Sequence, residues 1–96
     1  MSLNRYAART DGNQARIKRE LEAMGFQVDI VKFPYDLVVT GRVGVTGDIR
    51  SLRVEIKDKG GRLSPAEKKY HAESIHQETL IIARSTEDIL TWFQRI

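Results

Sequence analysis

The chain has 96 residues, 41% of them hydrophobic, and carries a net charge of +3 with a pI near 9.4. That length accommodates one domain with one core, and the absence of cysteine excludes a disulfide scaffold and any thiolate metal site. No segment has the length and apolarity of a signal or a membrane span, so an intracellular protein without a membrane partner is expected; the basic balance favours polyanionic partners, although 30% charged residues make a mixed surface.

Residues 1–8 are given no weight in the fold and are expected to form a flexible basic arm ahead of a single domain over 9–96. Asp11 can cap a helix with Gln14 at its third position; Ile17, Leu21 and Met24 then recur on one face before Gly25 ends it. Phe26, Val28 and Ile30 alternate with Gln27, Asp29 and Val31 as in a strand, and Pro34 separates this from a second strand opening at Asp36. The spacing of Gly41, Gly44 and Gly47 suits a hairpin leading into a third strand over residues 49–57.

A polar loop, Asp58-Lys59-Gly60-Gly61-Arg62, follows. Ser64-Pro65-Ala66-Glu67 then supplies an N-cap, a first-turn proline and a capping-box glutamate, which predicts a helix to about Ile75. Leu80-Ile81-Ile82-Ala83 has the continuous apolar character of a strand buried on both faces, and Ser85 and Asp88 start a last helix through Ile89, Phe93 and Ile96. The order αβββαβα gives an α/β fold with a mixed central sheet flanked by helices, in which Leu52 to Ala83 forms a right-handed parallel crossover.

The most informative stretch is Leu52-Arg53-Val54-Glu55-Ile56-Lys57. Its alternation puts Leu52, Val54 and Ile56 on one face and Arg53, Glu55 and Lys57 on the other, with Glu55 and Lys57 ~7 Å apart along the strand. Taken alone, that pair reads as a surface ion pair. Its position at the C-terminal end of a strand feeding a helical crossover is where ligand sites of open α/β sheets gather. Asp36 adds a second carboxylate, and two carboxylates with a lysine on neighbouring strands can hold a divalent cation and steady an attacking water, as phosphodiester cleavage requires. Gln14, beside the apolar face of the first helix, either completes the capping box or orients water at the edge of that site.

Lys59, Arg62, Lys68 and Lys69 surround the loop and the start of the second helix and could contact phosphates, as could Arg5, Arg9, Arg16, Lys18 and Arg19 near the N-terminus. His71 and His76 are five residues apart, off the spacing that puts two imidazoles on one helical face, and read as surface or partly buried residues. Trp92, Phe93 and Leu90 read as core. No phosphate-binding glycine loop and no Ser/His/Asp order stands out, so no small-molecule cofactor is expected.

Four short segments, in order and on matching element types, resemble the PD-(D/E)XK nuclease superfamily, and within it the small stand-alone VRR-NUC and phage Holliday-junction-resolvase-like proteins. They are Arg9-Thr10-Asp11-Gly12-Asn13-Gln14, Pro34-Tyr35-Asp36-Leu37-Val38-Val39-Thr40-Gly41, Val54-Glu55-Ile56-Lys57-Asp58 and Leu63-Ser64-Pro65-Ala66-Glu67. Two departures stand out: Tyr35 lies between the proline and the aspartate, and Glu67 stands where the group commonly has glutamine.

The resemblance implies a restriction-endonuclease-like fold. It also implies an endodeoxyribonuclease in which Asp36, Glu55 and the Ile56 carbonyl ligate Mg²⁺ or Mn²⁺, Lys57 acts on the attacking water and the scissile phosphate, and Gln14 borders the metal. It further implies a homodimer acting on branched DNA such as four-way junctions or flaps, in the cytoplasm, or in a host's cytoplasm if phage-encoded. The alternatives are a catalytically silent nucleic-acid-binding module of the same fold and an accessory subunit of a larger assembly.

Overall fold

The computed structural model of the chain describes residues 12–58, 60–74 and 77–96, so the arm over 1–8, Arg9, Asp11, Lys59 and His76 lie outside the described residues. Ile17 and Leu21, four apart on one face, are fully buried and dock the first helix, α1 (Gly12–Ala23), onto the core. The helix closes in a Schellman motif: Gly25 at φ 95° lets its amide reach Glu22 O while the Phe26 amide reaches Leu21 O. That motif corrects the sequence expectation for Met24, which the turn carries off the apolar face to 55% exposure. Phe26 takes its place, its ring 4.9 Å from that of Phe93.

Four strands form at the expected places, β1 (Gln27–Ile30), β2 (Leu37–Arg42), β3 (Ile49–Ile56) and, after a helix, β4 (Leu80–Ala83), although Ile30, expected to share the face of Val28, is 50% exposed. They form one mixed sheet ordered β1-β2-β3-β4, antiparallel from β1 to β3 and parallel between β3 and β4. The β2–β3 turn is closed by Val43 N–H to Asp48 O at 2.9 Å and Gly47 N–H to Val43 O at 3.0 Å. Gly47 sits there at φ 77°, a conformation glycine adopts without a Cβ clash.

Leu37, Val39, Leu52, Val54 and Ile56 form one buried face of the sheet, covered by α1 and by the last helix, α3 (Thr86–Arg95), through Ile17, Leu21, Ile89 and Phe93. Ser85 caps α3 by accepting the Asp88 amide. Trp92 packs against the core and donates its indole N–H to Glu78 O, so the half-buried ring belongs to the core.

The opposite face of the sheet carries Arg53 and Glu55 and is met by α2 (Pro65–Glu73), which has the predicted capping box at Ser64 and Glu67 but ends at Glu73. This helix buries no residue completely; polar contacts hold it. Arg53 donates to the Tyr70 hydroxyl at 3.0 Å and to Ser74 Oγ at 3.2 Å.

β4 departs from its expectation of burial on both faces. It is an edge strand, and Ile82, which pairs with Glu55 and shares that more open face, is 38% exposed. Among the described residues no helix is long and apolar enough to cross a membrane.

Candidate active site

Asp36 ends the turn that links β1 to β2 and is fixed at both levels of its structure. Its amide donates to Val54 O at 3.0 Å, and its Oδ2 accepts the Ile56 amide at 2.7 Å. This pins one carboxylate to the C-terminal end of β3. Glu55, on the same strand end, is only 3% exposed, an expensive place for an ionised carboxylate. Lys57 follows, its backbone amide held by Ala83 O at 3.0 Å and its Nζ 3.7 Å from Glu55 Oε2.

A fourth group joins them. Glu67, read from the sequence as a capping-box residue, accepts the Ser64 amide at 2.8 Å with Oε1, and the same oxygen lies 2.9 Å from Lys57 Nζ. The sequence signal for this was the acid at the third position of the helix that follows the Glu55 strand. Its second partner, ten residues upstream, was not legible locally.

The charges are strongly coupled. Burial, reinforced by the negative charge of Asp36 and hydrogen bonding to it, and by the same influences from Glu67, raises the Glu55 carboxyl to about 8, so it is protonated at neutral pH. Burial opposes the Lys57 ammonium, but its hydrogen bond to Glu67 and the charges of Glu67, Glu55 and Asp36 outweigh that and raise its pKa. Burial likewise opposes ionised Glu67, yet the Ser64 amide and Lys57 prevail and lower its pKa. His71, one helical turn beyond Glu67, has a buried Nε2 with no hydrogen-bond partner among the described residues; burial and the charges of Arg53 and Lys57 lower its pKa despite Glu67.

The structure therefore brings together Asp36, Glu55 and Lys57, with the Ile56 amide between them. Gln14 stands apart: it is half-buried on α1, which packs on the other face of the sheet, and among the described residues no hydrogen bond joins it to Asp36, Glu55 or Lys57. Its neighbour Asn13 donates to Arg84 O at 3.0 Å, and the Arg84 guanidinium donates to Asp58 O, so the start of α1 meets the same sheet end from the side.

Of the expected phosphate contacts, Arg62 lies in the loop before α2, while Lys68 and Lys69 lie on that helix, flanking Glu67, and all three are exposed. Arg16 is exposed on α1, where it hydrogen-bonds Asn13 and lies 3.7 Å from Glu20. Arg9 and Lys59 fall outside the described residues.

The donor set suits a hard cation. Carboxylate and carbonyl oxygens at Asp36, Glu55 and Ile56 are the ligands Mg²⁺ and Mn²⁺ prefer. Among the described residues no three His, Asp or Glu side chains stand ready as a complete metal-ligand set. Mg²⁺ does not need one, since it binds through one or two carboxylates and keeps several waters. Compared with protein-family models, with curated proteins and with solved structures, the chain matches none of them.

Proposed function

We propose that this protein is a divalent-metal-dependent endodeoxyribonuclease of restriction-endonuclease-like fold, acting on branched DNA as a homodimer. The observation that carries this reading is the convergence of Asp36, Glu55 and Lys57 at the C-terminal end of β3, with Asp36 Oδ2 locked 2.7 Å from the Ile56 amide. The preference for branched substrates rests on the resemblance to VRR-NUC and phage junction-resolvase-like proteins. A two-fold dimer would suit such substrates.

Asp36, Glu55 and the Ile56 carbonyl would hold Mg²⁺ or Mn²⁺. When bound, the cation supplies charge to the phosphate and lowers the pKa of a water. Glu55 must release its proton to take part, which its burial, and then the neighbouring Asp36 and Glu67, oppose until positive charge arrives. Lys57, whose ammonium form is favoured, orients the attacking water and donates to a phosphate oxygen rather than serving as the base. Gln14, half-buried on α1 at the other face of the sheet, takes no part in this site. Arg62, Lys68 and Lys69, with Arg9, Arg16 and Lys59, would hold flanking phosphates.

The test is cleavage of labelled four-way, flap and linear DNA with Mg²⁺ or Mn²⁺. Lys57→Ala and Asp36→Asn are each expected to lose at least about a hundredfold in rate, the scale of removing one electrostatic group from an active site. Metal-dependent cutting that survives both substitutions would overturn the site. The 2.9 Å Lys57–Glu67 ion pair, which neutralises the lysine, favours a second reading as a silent nucleic-acid-binding module. Binding by the wild type without any cutting would select it.

A further inference from the structure

Phe33 is 82% exposed, the most exposed large apolar side chain among the described residues. Rings such as Phe26, Tyr35, Tyr70, Trp92 and Phe93 each pack against another ring, whereas no ring contact among the described residues involves Phe33. Single exposed apolar residues are common and need no explanation. Phe33 differs because of what the surrounding chain does to display it.

Phe33 sits in the turn between β1 and β2, closed by Val31 N–H to Asp36 O at 2.8 Å, so the turn that displays the ring also positions the Asp36 carboxylate. Lys32 beside it adopts φ 80°, a conformation costly for a residue with a Cβ and one that clusters at functional sites. Ile30, at the base of the turn, is half exposed and extends the apolar surface. The turn thus exposes an aromatic residue and a lysine that are neighbours in sequence. Three residues span at most about 11 Å of extended chain, which is about three nucleotides of a strand at roughly 3.4 Å each.

We propose that Phe33 is a stacking platform for an unpaired base, with Lys32 on the adjoining phosphate, within about three nucleotides of the phosphate held at Asp36. The proposal rests on the nuclease reading and sharpens it: the substrate class is DNA that offers an unstacked base beside the cleaved bond, as single strands, flaps and branch points do. Every base has a π-face, so such a platform selects for unpaired structure rather than for sequence. An aromatic ring on a tight turn suits one base better than it suits a protein partner, which needs a continuous apolar face.

The experiment measures binding of the full chain in EDTA, where no cutting occurs. The probes are a forked oligonucleotide carrying 2-aminopurine in its unpaired arm and a continuous duplex. Phe33→Ala is expected to weaken forked-DNA binding about 5- to 100-fold, the scale of one base–aromatic stack, and to abolish the quenching of 2-aminopurine. Duplex affinity should be unchanged, and Phe33→Tyr should behave as wild type. Thermal melting of each variant should match wild type, because the side chain is exposed.

Equal losses on forked and duplex DNA, or no loss on either, would overturn the platform. So would sedimentation showing that Phe33 mediates self-association instead. Cleavage with Mg²⁺ or Mn²⁺ is scored separately. Phe33-dependent quenching without cutting removes the nuclease reading and keeps the platform, whereas cutting without such quenching removes the platform alone.

Discussion

Lys57 Nζ stands 2.9 Å from Glu67 Oε1, the same oxygen that accepts the Ser64 amide at 2.8 Å, so one atom both caps α2 and tethers it to the end of β3. The two duties separate by mutation. Glu67→Gln keeps an oxygen for the Ser64 amide and removes the negative charge that faces Lys57. Its stability is expected to stay within about 1 kcal/mol of wild type, since glutamine also serves in a capping box. Glu67→Ala loses the reciprocal half of the cap as well and is expected to cost about 1 to 2 kcal/mol. Urea denaturation of both variants checks this; equal losses would mean that the ion pair, and not the cap, sets the contribution of Glu67.

Glu55 makes stability depend on pH. Its folded pKa is raised from 4.5 to about 8, so between those values the unfolded chain has released a proton that the folded chain retains. Stability attributable to Glu55 is therefore complete below 4.5 and declines as pH rises through about 8, with a slope approaching 1.4 kcal/mol per pH unit. His71, with a lowered folded pKa, acts in the opposite sense below its ordinary 6.5. The measurement is accordingly a difference: denaturation midpoints of wild type and Glu55→Gln from pH 4.5 to 8, with the variant expected to lack the decline. Adding Mg²⁺ above pH 7 should recover stability in wild type only.

The local signals were legible in the sequence because each acts within a few residues. Ser64 and Glu67 announce their helix, and the alternation of Leu52, Val54 and Ile56 fixes which face of β3 enters the core and hence which way Glu55 points. Asp36 could be placed because it opens an apolar run. What escaped depended on partners distant in sequence. The Schellman turn displaces Met24 and hands its role to Phe26. The exposure of Ile82 follows from β4 being an edge, which is set by strand order. The Lys57–Glu67 pair requires α2 to fold back over β3, and no helical periodicity encodes that.

Gly41 carries a packing constraint that composition alone does not reveal. A Cβ built there would collide with the Phe26 ring, which is itself tilted 57° against the Phe93 ring, 4.9 Å between centroids. A shift of the ring toward Phe93 would press on α3. Gly41→Ala is expected to destabilise by about 1 to 3 kcal/mol, the usual cost of overpacking. Combining it with Phe26→Leu should recover part of the loss, and a fully additive double mutant would exclude the clash as its cause.

Arg53 holds α2 beside the ring contact of Tyr70 with Tyr35. Its guanidinium reaches the Tyr70 hydroxyl at 3.0 Å, Ser74 Oγ at 3.2 Å and Thr79 Oγ1 at 3.3 Å, and it lies 5.9 Å from the centroid of the Tyr35 ring. One planar fork thus ties together α2, its C-cap, the segment before β4 and the turn ahead of Asp36. A lysine has the charge but not the fork, so Arg53→Lys cannot make all these contacts. Both Arg53→Lys and Arg53→Ala are expected to loosen α2 selectively, with Arg53→Ala costing about 2 to 3 kcal/mol. Hydrogen exchange is the discriminating measurement. Amides of residues 66–73 should lose protection while those of β2 and β3 keep theirs, because α2 contributes no fully buried residue to the core. Uniform loss across the sheet would mean that Arg53 supports the core itself. With α2 loosened, Glu55 loses part of its burial as well as the influence of Glu67, so the same variants should lower the Glu55 carboxyl toward its ordinary range, which a pH titration of their stability reads directly.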